Sequence, residues 1–122
     1  MNKKHLKTIR TSRKLSEKLH KLNFKMPASC YWIKTLKDDR FNIEEIKGEF
    51  YFLPTTKVYP AYSIDSFFTI LEQIGYDFRL TNNSLSVGPY QRNFRRDSGT
   101  TLVDLVASAI ITLIESKQIV AE

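Results

Sequence analysis

The stretch from Leu102 to Ser116 constrains the fold more than any other part of this chain. At about 100° per residue, Leu102, Leu105, Val106, Ala109, Ile110, Leu113 and Ile114 form one broad apolar face. A face that wide must be covered, so this segment is expected to be the most buried helix. Thr101-x-x-Asp104 opens it as a capping box with Asp in place of Glu. Asp104 interrupts the apolar run, which falls short of the roughly 18 residues of a membrane span, so no membrane contact is expected.

Two further helices are legible. Thr8, Ser12, Leu15, Leu19 and Leu22 recur on one face, which predicts a single amphipathic helix from about Thr8 to Leu22, stopped at Asn23, with residues 1–7 as a frayed basic terminus. Ser63 is a candidate N-cap for a helix whose inner face is Ile64, Phe67, Phe68, Leu71 and Ile74, closed by Gly75 in a left-handed cap.

Strands are expected between them. Cys30 to Leu36 is rich in aromatic and β-branched residues, and Glu49 to Leu53 reads as a second strand ended by Pro54. Phe41 to Ile46 is ambiguous, a loop with short strand character. Pro54 and Pro60 predict irregular chain from Pro54 to Tyr62. Tyr76, Phe78 and Leu80 alternate, as do Leu85 and Val87 across Asn82-Asn83, which is a hairpin pattern; Gly88-Pro89 breaks the strand, and Tyr90 to Phe94 is a candidate for its resumption. The expected architecture is α+β: a mainly antiparallel sheet of about four to five strands, three helices over one face, order roughly αββαββα, in one domain spanning residues 1–122.

Charge is concentrated at one end. The formal net charge is +6, yet residues 1–25 hold nine basic groups against Glu17 alone, a local balance of +8, while the remainder stands at −2. Lys7, Arg10, Lys14, Lys18 and Lys21 fall beside the leucine stripe, where they would track phosphates or form a solvated helix face. A second basic cluster, Arg92, Arg95 and Arg96, is interleaved with Tyr90 and Phe94. These eight cations are the candidate nucleic-acid contacts. The alternative for the second cluster is an edge strand guarded by charge, with Phe94 in the core.

Catalytic chemistry finds little support. Cys30 is the one cysteine, so no internal disulfide is available, and in an aromatic strand it reads as a small buried hydrophobe. His5 and His20 lie among lysines with no reason to converge on Cys30 or on a metal. Asp38-Asp39 and Glu44-Glu45 sit in the most polar stretch, and the four glycines are too scattered to cradle a phosphate. The expectation is a non-enzymatic protein with no cofactor and no metal. The charged N-terminus lacks the apolar core of a secretory signal, so a cytoplasmic location is expected.

Three segments, Asn23 to Trp32, Pro60 to Phe67 and Ala107 to Ser116, resemble small uncharacterised proteins of bacterial prophages and conjugative elements. Those relatives carry a Gly-Phe-x-x-x-(Thr/Ser)-x-(Phe/Tyr)-Trp segment, a Pro-Ala-x-(Thr/Ser)-x-(Asp/Glu)-x-(Leu/Phe) helix start and a C-terminal Leu-Ile-x-Leu-Ile-Glu type helix. Asn23 stands where they have glycine. The resemblance implies a phage or mobile-element context and brings no chemistry with it. The leading expectation is an accessory protein that binds an unknown protein partner, with Tyr51, Tyr59 and Tyr62 as candidate contacts; the alternative is nucleic-acid binding through the two basic clusters.

Overall fold

The computed structural model describes residues 3–48, 51–89 and 92–119. Ten elements follow in order: α1 Lys3–Ile9, α2 Arg13–Lys21, β1 Cys30–Lys34, β2 Asn42–Glu45, β3 Lys57–Ala61, α3 Ile64–Gln73, β4 Phe78–Leu80, β5 Ser84–Val87, β6 Arg92–Arg95 and α4 Leu102–Glu115. The fold is α+β, and the strand pairs among the described residues are antiparallel, in two three-stranded sheets ordered β2-β1-β3 and β4-β5-β6. Four helices and two sheets thus replace the three helices and single four- to five-stranded sheet expected from the sequence.

The reason lies in α4. Val103, Leu105, Val106, Ala107, Ala109, Ile110, Ile111 and Leu113 are all buried, which is apolar contact on more than one side of the helix. One sheet face cannot cover that. Instead α2 and α3 pack against α4 together with β5 and β6, and the large core holds Leu19, Phe24, Tyr62, Phe67, Leu71, Leu85 and Val87. A smaller core of Leu6, Cys30, Trp32, Ile43 and Ala61 lies under the first sheet.

The N-terminal helix is broken in two, contrary to the single helix read from Thr8 to Leu22. Within the stretch expected to fray, Lys3–Ile9 forms α1 and is anchored through Leu6, which is 2% exposed. The break falls at Thr11, fully buried, whose N–H donates to the Tyr62 carbonyl at 2.9 Å and whose Oγ1 accepts from the Tyr62 N–H at 3.0 Å. The Thr11 carbonyl accepts from Trp32 Nε1 at 2.9 Å, and its hydroxyl lies 2.6 Å from Ser16 Oγ. Helix would forfeit these bonds. Ser12 then restarts the chain as the N-cap of α2, accepting from the Leu15 N–H, and Asn23 ends it at φ +63°.

Pro54 to Tyr62 was expected to be irregular, yet Lys57–Ala61 is β3. It lies at the edge of its sheet, where a missing N–H costs nothing if it points away from β1. Tyr51 to Leu53 is not strand, and the Glu49 and Phe50 half of that expected strand lies outside the described residues. Asn42–Glu45 resolves as strand because Ile43 plugs the smaller core. Other local signals hold in part: Gly75 sits at φ +80° after α3, and Thr101 Oγ1 accepts from the Asp104 N–H at 3.2 Å, whereas Ser63 caps α3 without a side-chain bond and Ile74, expected on its inner face, is 43% exposed beyond its last turn. The hairpin closes with the Thr81 hydroxyl accepting from the Asn83 and Ser84 N–H groups. Asp104 does not complete a reciprocal box; its carboxylate accepts from the Ser12 N–H at 2.9 Å and so ties α4 to the start of α2.

Two outcomes follow from these contacts. Thr11→Val keeps the shape but strands the buried Tyr62 N–H, so it should lower unfolding stability by about 1–3 kcal/mol in urea denaturation, while Thr11→Ser stays close to wild type. Burial pushes the Asp104 carboxyl above its ordinary 3.8, against the pull of the Ser12 bond. An acid raised in the fold keeps its proton longer folded than unfolded, so its contribution to stability declines as pH climbs through the folded value and is level above it. Asp104→Asn retains the acceptor and should therefore gain stability relative to wild type as pH rises from about 4, then hold a constant difference, read from two urea curves at each pH.

Candidate functional site

Two of the five cations of the predicted basic stripe, Lys18 and Lys21, are ion-paired within the chain. On α2, Lys21 Nζ lies 3.0 Å from Glu17 Oε2 and Arg13 lies 2.9 Å from Glu17 Oε1, while Lys18 reaches Glu115 of α4 at 3.6 Å. The Lys21 hydrogen bond holds the Glu17 carboxyl below its usual range. Arg10, half-buried in the break between α1 and α2, turns toward the Ile9 carbonyl at 3.4 Å. Lys7 and Lys14 are exposed and make no ion pair among the described residues.

The second cluster is similarly occupied. Arg92 donates to Gln118 Oε1 at 2.7 Å and stands 5.4 Å from the Phe94 ring centroid. Arg96 donates to the Thr100 carbonyl at 2.6 Å and to the Asn82 carbonyl at 3.1 Å, bracing two turns. Arg95 points outward, exposed. Phe94 packs against the large core, and Tyr90 lies outside the described residues. Lys18 and Arg92 both reach the C-terminal end of α4, each already held by a partner there.

Cys30 is fully buried in the smaller core, with its Sγ 3.9 Å from Ser29 Oγ. His5 and His20 are exposed, and His20 packs its ring 5.4 Å from Tyr59. Asp38 accepts from Thr35 and Glu44 pairs with Lys3 at 2.7 Å. Among the described residues no group of three His, Cys, Asp or Glu side chains is placed to hold a metal.

A site that sequence reading missed lies along β3. Pro60 stands opposite Tyr31 and has no N–H, so that pair is a non-hydrogen-bonded one. Alternation then turns the Val58 N–H and C=O and the Pro60 C=O away from β1, and no described strand pairs on that side. An open groove of about 400 Å³ adjoins β3 on the face that carries Tyr31, Val58 and Pro60. Phe24, Lys25 and Met26 wall it from the link after α2, His20 from α2 itself and Phe52 from the chain before β3. Tyr62, 2% exposed, is no surface contact but a strut: its hydroxyl donates to the Phe24 carbonyl at 3.2 Å and accepts from the Met26 N–H at 3.5 Å. Burial raises that hydroxyl above its ordinary 10.0. Tyr59 is half-buried between His20 and Phe41. Of the three tyrosines expected as contacts, only Tyr51 is exposed, at 94%, with Leu53 at 73% two residues on.

No protein-family model, curated protein or solved structure matches this chain.

The strut role of Tyr62 has a direct readout. Tyr62→Phe should cost about 0.5–1.5 kcal/mol of stability in urea and broaden the amide signals of Phe24 and Met26, because one wall of the groove loses its brace.

Proposed function

We propose that the chain is a non-enzymatic protein-binding module that takes up an extended segment of its partner along β3. The observation that carries this reading is the open β3 edge beside an apolar groove: backbone donor and acceptors supply pairing, and the groove walls supply side-chain pockets, the two requirements of strand addition. The resemblance of Asn23 to Trp32, Pro60 to Phe67 and Ala107 to Ser116 to prophage and conjugative-element proteins supports an accessory role in such an element. Nucleic-acid binding is the weaker reading, because Lys18, Lys21, Arg92 and Arg96 already have partners.

The test is selection of displayed random linear peptides on the full chain, followed by amide NMR of the complex. Bound peptide is expected to shift Val58 and protect its N–H from exchange. Val58→Pro removes that donor without touching the ladder to β1 and should weaken binding about tenfold or more, whereas Val58→Thr should bind like wild type. Equal binding by the two variants would sink strand addition. If no peptide is selected, and labelled single-stranded DNA or RNA binds below micromolar with steep salt dependence, the nucleic-acid reading replaces it.

A further inference from the structure

A second cleft, sharing no lining residue with the β3 groove, opens between the start of α2 and the far end of the first sheet. Arg13, Trp32, Lys34, Asp39, Arg40 and Phe41 line its volume of about 440 Å³. Three cations thus face one carboxylate. The arrangement is anomalous within the sheet as well, since Lys34 stands directly opposite Lys57, a like-charge cross-strand pair that destabilises a ladder unless an anion intervenes. Lys34 is only half-exposed. Neither Lys34, Lys57 nor Arg40 makes an ion pair among the described residues, and Asp38 and Asp39 share a neighbouring pocket with the two lysines without closing a contact.

Arg13 is pre-positioned. Its guanidinium stacks 5.4 Å over the Phe41 ring, and Phe41 is backed by Tyr59 at 5.5 Å. Glu17 fixes one Arg13 nitrogen but divides its carboxylate between Arg13 and Lys21, which leaves the Arg13 charge incompletely met. A stacked guanidinium with free N–H groups, flanked by a second guanidinium and an ammonium, matches the charge and donor geometry of a phosphate. We infer that this cleft binds a phosphate monoester, the dianion seated between Arg13, Lys34 and Arg40.

Trp32, the chain's one tryptophan, lines the cleft with its indole N–H already committed to Thr11, so it reports occupancy without being a ligand. The experiment is a fluorescence titration of the full chain with inorganic phosphate and with phenyl phosphate, against sodium chloride at matched ionic strength. Saturable quenching or enhancement is expected with both phosphates and not with chloride. Lys34→Gln and Arg40→Gln should each weaken binding about tenfold or more, Asp39→Asn should tighten it by removing a repelling carboxylate, and Lys14→Gln, outside the cleft, should match wild type. A polynucleotide is the other source of the same group: an oligothymidylate that binds more than about tenfold tighter than phenyl phosphate, and loses that with Lys34→Gln, would assign the cleft to a nucleic-acid phosphate and overturn the monoester. Absence of a saturable response below about 20 mM phosphate, or equal affinities for Lys34→Gln and Lys14→Gln, would overturn the site altogether.

Discussion

The exchange of hydrogen bonds between Thr11 and Tyr62 is the joint on which the rest of the molecule depends. Thr11 donates and accepts across the gap to Tyr62, and its carbonyl also holds Trp32. Trp32 belongs to the smaller core and Tyr62 to the larger, so one fully buried residue couples both. That coupling decides the path of the N-terminal chain. Burying a threonine with all its polar groups satisfied requires a break in the helix, and the break sends α1 over the first sheet while α2 reaches α4. It also holds β3 from its C-terminal end, immediately before Tyr62, with α2 packed beside the strand and no described strand paired on its outer side.

The electrostatics follow from the same geometry. The helical turn sets Glu17 beside Lys21 and the packing of α4 brings Glu115 to Lys18, exposed pairs that water and salt screen so that they add little to stability. Their consequence is for the field rather than for stability. Cations are partly paired along α2 and stand in excess at the end of the first sheet, where Arg13, Lys34 and Arg40 line one cleft with Asp39. Of the N-terminal charge excess so prominent in the sequence, Arg13 is the group that the fold brings to that cleft.

Much of the local structure was legible. The extent of α4, the stop at Asn23, the turn at Gly75 and the β4–β5 hairpin all follow from periodicity and cap chemistry, which act within a few residues. The errors share a cause. Thr11 has the look of one more polar residue on a helix, because its reason for leaving the helix is Tyr62, 51 residues away. Pro60 reads as a breaker, because whether a proline is tolerated depends on which side of the strand is paired, and pairing is tertiary. Splitting one sheet into two could have been suspected from α4, where Ala107 and Ile111 lie off the face first identified yet are buried too. Of the eight cations named in advance, Lys21 had a partner legible one helical turn back at Glu17, whereas the groups that meet Lys18, Arg92 and Arg96 (Glu115, Gln118 and the Asn82 carbonyl) are distant in the chain and sequence could not show them.

The composition of β3 also limits what kind of binding its edge can support. Pro60 removes one donor and Lys57 adds charge at the opposite end, the two devices by which exposed strands avoid pairing with copies of themselves. What remains is one donor and two acceptors, at Val58 and Pro60. At about 0.5–1.5 kcal/mol net per bond, three bonds give only about 1.5–4.5 kcal/mol, less than the several kcal/mol lost in immobilising a flexible segment. Backbone pairing can thus set the register of a partner but cannot hold it. Affinity has to come from apolar side chains buried against Phe24, Met26, Tyr31 and Phe52, so a partner segment must carry apolar anchors on the side that faces those walls. A purely polar strand would pair and fall away.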